Sequence, residues 1–238
     1  MSDTENSSIE STDDVASTGG PDGYVPSARS VVELLGLLAY GELLAFDRMA
    51  ADSRLAPDVE RRAAMAQLAA SEIANYNALA DRIRELGYEP ETVMAPFMTA
   101  VTDFHDSTAP RDWLEGLVKA YVGDAISYDF HREVAEFLEP ADRELVRGVL
   151  PDEKHSEFLV REIKAAISQD EAVAGRLALW ARRLVGEALT QAQRAASDSE
   201  GLTDLIVLGA GDLQAVGELL RRLTNNHAER MKAIGLSN

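Results

Sequence analysis

The chain has 238 residues and no cysteine, so one large or two small domains fit its length, and disulfide bonds, cysteine-bound zinc and thiol catalysis are excluded. Its formal charge at pH 7 is −18, of which the first 25 residues carry −6 and the remainder −12. This acidity disfavours nucleic-acid binding, because nucleic-acid binders usually present a basic face. No basic and apolar leader and no long uncharged apolar run occur, so we expect a cytoplasmic protein that does not span a membrane.

Residues 1–25 are rich in Ser, Thr, Asp, Glu and Gly, and they lack the apolar periodicity that would offset the entropy cost of ordering. We therefore predict a disordered acidic tail. A first helix is predicted over residues 27–54, because apolar side chains recur there at steps of three and four. Glu42 falls in the same stripe, at a position where an uncharged side chain is expected.

A second helix is predicted over residues 58–86, between Pro57 and Gly87. Glu72 occupies a core position in its apolar stripe. Residues 87–110 contain three prolines and are interpreted as a connection with at most a short helical turn. A connection of this length is uncommon in a compact domain, but it can follow the roughly 40 Å of a long helix. We therefore predict a crossover that runs along a helical bundle.

The third and fourth helices are predicted over residues 111–138 and 141–167, because the apolar spacing of a helix resumes in both segments. Asp124 lies in the stripe of the third helix. Asp152 and His155 lie in the stripe of the fourth, three residues apart, so that they share one helical face. Each of four successive helices thus carries an acidic residue at a position that the pattern assigns to the core.

Pro151 interrupts the fourth helix, because it lacks a backbone donor and disfavours helical geometry at Leu150. The helix is predicted either to kink near Gly148 or to split, with Pro151 opening its second part. In both cases Asp152 and His155 remain one turn apart.

Two further helices are predicted over residues 171–196 and 212–233, separated by a loop or short turn over residues 197–211. They are expected to pack on the bundle or on a partner subunit. The predicted fold is all-α: an antiparallel four-helix bundle over residues 26–168, with a long crossover between its second and third helices, and a helical extension over residues 169–238.

The four acids lie near the middle of their predicted helices, so an antiparallel bundle would bring them to one level. Four inward carboxylates at one level would repel one another and would protonate if no cation were present. A bound cation resolves this conflict, and carboxylates together with an imidazole suit iron or manganese. The predicted centre contains Glu42, Glu72, Asp124, Asp152 and His155.

The same pattern is that of the ferritin-like di-metal carboxylate proteins, in which two helices give one Glu each and two give Glu-x-x-His. More narrowly, residues 28–236 resemble the MiaE-like ferritin-fold proteins of actinobacteria. The short motifs that carry this resemblance are the segment 41–46, Glu72, Asp124 with Asp129 and Phe130, Asp152 with His155 and Phe158, and the ending with His227, Glu229, Arg230, Met231 and Leu236.

MiaE is a non-haem di-iron hydroxylase that acts on 2-methylthio-isopentenyl adenosine in tRNA, so the resemblance implies a ferritin-like fold and an O₂-dependent oxidation. It implies the ligands Glu42, Glu72, Asp124, Asp152 and His155, with Asp in two places where the family pattern has Glu. It also implies two iron ions, with manganese as an alternative metal. Asn75 stands where the pattern has His, and an amide oxygen is a weaker ligand for iron, which weakens the second metal position.

Three hypotheses remain open at this point. The first is a di-iron hydroxylase or oxidase that acts on an unknown small molecule or modified nucleoside. The second is a non-catalytic ferritin-like module for binding or dimerisation, whose metal site has degenerated at Asn75. The third is iron or manganese handling without turnover. The charge of −12 on residues 26–238 disfavours tRNA as the substrate, and a homodimer is compatible with all three hypotheses.

Overall fold

The computed structural model describes residues 24–237 except residues 151–152, and it describes the backbone but not the side chains of residues 124 and 153–155. Within these residues the chain forms α-helices and no strand, which confirms the all-α prediction. The helices are α1 Ala28–Asp52, α2 Val59–Glu85, α3 Pro90–Met94, α4 Met98–Ser107, α5 Trp113–Val118, α6 Asp124–Ala135, α7 Pro140–Gly148, α8 Glu153–Gln169, α9 Ala172–Ser197, α10 Glu200–Ala210 and α11 Leu213–Ala233. In the described part of the chain, none of them is long and apolar enough to cross a membrane.

Side-chain caps fix where the two longest bundle helices begin. The Ser27 hydroxyl accepts a hydrogen bond from the backbone N–H of Ser30, and the Asp58 carboxylate accepts one from Arg61. Such caps satisfy backbone donors that have no partner in the first turn of a helix. Helix α2 ends before Gly87, whose φ of +86° lies in the left-handed region that glycine adopts without strain. The short connection between α1 and α2 makes them antiparallel neighbours.

The long connection between α2 and α5 is mostly helical, so the prediction of a largely irregular segment over residues 87–110 was wrong. Helix α3, a 3₁₀ turn over Ala95–Phe97 and helix α4 occupy most of it. Pro90 and Pro96 stand in the first turn of their helical segments, where the missing N–H leaves no hydrogen bond unmade. Proline therefore starts helices here, whereas the sequence pattern was interpreted as breaking them.

The third and fourth predicted helices are each divided. The third consists of α5, a π-helical segment over Lys119–Gly123 and α6, so the chain continues through it with one wider turn. The fourth consists of α7 and α8, so of the two predicted alternatives, a kink near Gly148 or a split, the structure has the split. Pro151 itself and Asp152 lie outside the described residues.

Residues 197–211 contain helix α10, where a loop or short turn was predicted. Ser199 caps this helix by accepting a hydrogen bond from Leu202 N–H, and Leu202 and Leu205 bury their side chains completely or almost completely. Glu33 of α1 accepts hydrogen bonds from the Ser199 hydroxyl at 2.5 Å and from Gly201 N–H at 2.9 Å. Contacts with a distant helix therefore stabilise a segment that is too short to show a clear periodicity.

Among the described residues, the apolar core forms two clusters that follow one another along α1 and α2. One cluster contains Leu38 of α1 and Leu79 of α2, and the other contains Met49 of α1 and Met65 of α2. Glu42 lies between the clusters on α1, and Glu72 lies between them on α2. The two helices thus share a short polar layer between two apolar regions, at the level that the sequence assigned to the metal centre.

Replacing Gly36 with alanine is expected to lower the free energy of unfolding by about 1–3 kcal/mol, because overpacking forces neighbouring atoms to move. A Cβ at this position would lie 2.5 Å from Val93 Cγ1 and 2.7 Å from the Val93 carbonyl oxygen, where α1 meets α3. At Gly41 of the same helix, no described atom beyond the adjacent residues and the nearby backbone of α1 lies within 4 Å of such a Cβ, so Gly41→Ala should instead stabilise α1 by about 0.5–1 kcal/mol. Urea unfolding of both variants measures the difference, and equal effects would contradict this packing account.

Candidate metal centre

Two carboxyl groups form the centre of the site. Glu42 of α1 and Glu72 of α2 are 4% and 1% exposed, and their side chains hydrogen-bond each other. Glu42 and Leu38 are one turn apart on α1, as are Glu72 and Ala69 on α2, so both acids continue the buried face of their helix. The sequence prediction that both acids point into the core is therefore confirmed by their burial.

The buried pair cannot carry two negative charges at neutral pH. Desolvation, followed by the hydrogen bond and the charge repulsion with Glu42, raises the pKa of Glu72 to about 10. The hydrogen bond from Tyr128 acts in the opposite direction but is outweighed. In the absence of a cation the pair therefore holds a proton, and a metal ion can take the place of that proton because it also neutralises the repulsion.

Asn75 lies one turn after Glu72 and binds as a hydrogen-bond donor. Its Nδ2 donates to Glu42 Oε2 at 3.1 Å and to the Val149 carbonyl oxygen at 2.9 Å. Val149 directly follows α7, so this amide joins α1, α2 and the end of α7. The prediction that Asn75 ligates a metal remains a prediction, but in this arrangement it holds Glu42 in place.

Tyr128 of α6 extends the polar layer to a third helix. Its hydroxyl donates to Glu72 Oε2 at 3.5 Å, which is a long hydrogen bond, and Tyr128 makes further contacts as well. The structure therefore places Tyr128 against Glu72, one of the two carboxyl groups of the site.

The side chains of three predicted ligands, Asp124, Asp152 and His155, lie outside the described residues. Among the side chains that the structure does describe, no group of three or more His, Cys, Asp or Glu residues is arranged to hold a metal ion. The described residues therefore fit part of a metal site: Glu42 and Glu72 have the charge, burial and mutual contact that a cation requires, and the remaining ligands stay a prediction.

His131 of α6 is a buried neutral imidazole. It is 7% exposed, its Nε2 lies 3.3 Å from the Ser127 hydroxyl, and its Nδ1 has no hydrogen-bond partner. Burial lowers the pKa of His131 to about 3, because the desolvated ring resists protonation. This environment suits a residue that packs in the core.

The burial of His131 predicts a loss of stability in acid. The unfolded chain binds a proton on this ring near pH 6.5, whereas the folded chain does so only near pH 3. The contribution of the neutral His131 ring to the free energy of unfolding is therefore fully present above pH 6.5. This free energy should fall by about 3 kcal/mol on acidification to about pH 4. His131→Leu should remove this part of the pH dependence, whereas Ser127→Ala, which keeps the ring, should preserve it. Unfolding at several pH values tests this, and parallel curves for wild type and His131→Leu would contradict it.

Lys119 and Asp129 are two of the buried charged side chains whose burial was missed at the sequence level. Lys119, which is 4% exposed, donates to the carbonyl oxygens of Thr108 at 3.0 Å and His105 at 3.4 Å, and so satisfies carbonyls at the end of α4. Asp129, which is 2% exposed, pairs with Arg230 of α11 and lies 3.4 Å from Arg132. A charged residue inside an apolar stripe is the signal that could have indicated both, but the sequence cannot show which partner satisfies it.

Comparison with known protein families gives a match that covers most of the chain. A family model described as "Ferritin-like domain, actinomycetes" matches residues 26–209. This range begins just before α1 and ends within α10, so it contains both carboxyl groups of the polar layer. A search of curated proteins finds no match to this chain.

Proposed function

Because the chain belongs to the family of ferritin-like domains of actinomycetes, we propose that its bundle holds a metal ion at Glu42 and Glu72 and uses it for an O₂-dependent oxidation. The observation that carries this proposal is the contact between two buried carboxyl groups from neighbouring helices. Buried acids without a cation or another charge partner are costly, and proteins of this fold class place metal ions between such acids. Iron is the proposed metal, with manganese as the alternative.

Each described residue has a separate task in this proposal. Glu42 and Glu72 bind the ion, Asn75 orients Glu42 through its amide, and Tyr128 orients Glu72 through its hydroxyl. Hydrogen bonds from neighbouring side chains of this kind fix the direction in which a ligand's lone pairs point. The apolar clusters on both sides keep bulk water away from the pair. Asp124, Asp152 and His155 are proposed as the remaining ligands.

The bound metal would supply the positions at which O₂ is activated for the oxidation of a C–H bond. We propose a hydroxylase or oxidase of the MiaE-like type, acting on a small molecule or a modified nucleoside. The formal charge of −12 on residues 26–238 disfavours whole tRNA as the substrate, because phosphate binding requires a basic surface. A gel-shift with bulk tRNA at low salt tests this, and tight binding that salt weakens would overturn the exclusion of tRNA.

Metal analysis of the full chain from iron-replete cells tests the metal site. The proposal expects close to one ion or more per chain after gentle purification, and a higher melting temperature with metal than without it, because the ion binds the folded state. Metal content far below one ion per chain, together with an unchanged melting temperature, would count against the proposal.

A non-catalytic binding or dimerisation module is the second candidate. It is favoured by the hydrogen bonds of Glu42 and Glu72, because these satisfy the two carboxyl groups without a metal. The two groups share a proton, Asn75 donates to Glu42, and Tyr128 donates to Glu72. This candidate expects no change in melting temperature on addition of Fe²⁺ or Mn²⁺. The same melting experiment therefore separates the two candidates.

A further inference from the structure

Asn75 lies three positions after Glu72, at a place that bears on how many ions the site can bind. In ferritin-like di-metal proteins, Glu-x-x-His motifs on two helices supply an imidazole to the metal pair. Glu72-Ile73-Ala74-Asn75 has the spacing of that motif, but its last residue is an amide. The orientation of this amide therefore determines whether it can replace the missing imidazole.

The hydrogen bonds of Asn75 fix its amide orientation. The Val149 carbonyl oxygen, 2.9 Å from Nδ2, can only accept a hydrogen bond, so the group that faces it must be the NH₂. The second N–H of the same nitrogen is directed at Glu42 Oε2 at 3.1 Å. Both donors of the amide are thus engaged, and Asn75 presents to Glu42 a nitrogen that has no lone pair available for a metal.

This orientation has two consequences for a second ion. The N–H groups carry partial positive charge, which repels a cation on the Asn75 side of Glu42. The hydrogen bond also takes up one lone pair of Glu42 Oε2, which reduces what this oxygen would offer to a second cation. Turning the Asn75 amide over would place its oxygen against the carbonyl oxygen of the buried residue Val149, which directly follows α7. That carbonyl would then lose its hydrogen bond, which is unfavourable.

We infer that this centre binds one metal ion rather than two, because Asn75 occupies the place of the second imidazole as a donor that holds Glu42. The inference depends on the proposed function, since it concerns the same metal site. It makes Asn75 a positioning residue for Glu42, and it makes the polar layer asymmetric, because hydrogen bonds close the side of Glu42 that faces Asn75.

Metal stoichiometry of three full-length proteins tests the inference. Wild type, Asn75→His and Asn77→His are freed of metal, titrated with Fe²⁺ under anaerobic conditions, desalted and analysed for bound iron, and their melting temperatures are recorded with and without Fe²⁺. Asn77 lies on α2 but is exposed, so its variant controls for the addition of a histidine to this helix. We expect one ion in wild type and in Asn77→His, and two ions in Asn75→His.

The outcomes separate this inference from the proposed function. Two ions in wild type, or one ion in a folded Asn75→His protein, would overturn the inference while leaving a metal centre in place. No bound ion in wild type would overturn the proposed function itself, and the inference with it. If Asn75→His does not fold, the count in wild type still decides, because only one ion agrees with a closed second position.

Discussion

Replacing Arg230 with alanine is expected to lower the free energy of unfolding by about 3–5 kcal/mol, because it leaves a buried charge without its partner. Asp129 of α6 is 2% exposed, and it forms its closest ion pair with Arg230 of α11. Arg132 lies at 3.4 Å and is more than half exposed, so it cannot replace the lost contact fully. The pair thus anchors the end of α11 to the bundle.

Arg222→Ala is the matched control for Arg230→Ala, because it breaks an ion pair between the same two helices at the surface. Arg222 and Glu133 are 47% and 25% exposed in their side chains, and the removal of such a pair should cost about 0–1 kcal/mol. Urea unfolding of both variants measures the two losses. Losses of the same size would show that burial of Asp129 does not set the strength of its pair.

Replacing Glu72 with glutamine is expected to stabilise the metal-free protein at neutral pH by about 3 kcal/mol and to abolish the stabilisation by added metal. The folded chain keeps a proton on Glu72 up to about pH 10, whereas the unfolded chain releases it near pH 4.5. The contribution of the protonated Glu72 to the free energy of unfolding is therefore fully present below pH 4.5, and it is lost as the pH rises toward 10. Glutamine is neutral in both states and removes that loss.

Glu60→Gln is the control for Glu72→Gln, because Glu60 lies on the same helix but is exposed. It should leave both the pH dependence and the metal effect unchanged. Unfolding of the metal-free proteins between pH 4.5 and pH 8, repeated with Fe²⁺, supplies the comparison. A Glu72→Gln protein that melts at the wild-type temperature at neutral pH, and still gains stability from Fe²⁺, would contradict the account of the pair.

The helices α1 and α2 and the burial of one acidic residue in each could be predicted from the sequence, because the buried face of a helix imposes a regular spacing on its apolar residues. Glu42 and Glu72 stand out as charged residues within that spacing, and their burial needs no knowledge of distant contacts. The pairing of α1 with α2 also follows, since a short connection makes the helices antiparallel neighbours.

The remaining features depend on contacts between residues far apart in the chain. Helix α10 is stabilised by hydrogen bonds to Glu33 of α1. The sequence of either helix taken alone does not show this contact. The prolines of residues 87–110 begin helices because of where they stand in the first turn, which composition does not reveal. The orientation of Asn75 is set by the Val149 carbonyl, which belongs to another part of the bundle. Sequence spacing located the amide but could not show which of its atoms faces Glu42.

Anomalous X-ray diffraction at the iron absorption edge, on crystals grown from Fe²⁺-loaded protein, tests the central claim most directly. The account predicts a single anomalous peak within bonding distance of carboxylate oxygens from both Glu42 and Glu72, between the two apolar clusters. A bundle interior without such a peak, in which the two carboxyl groups contact only each other and their hydrogen-bonding neighbours, would contradict it.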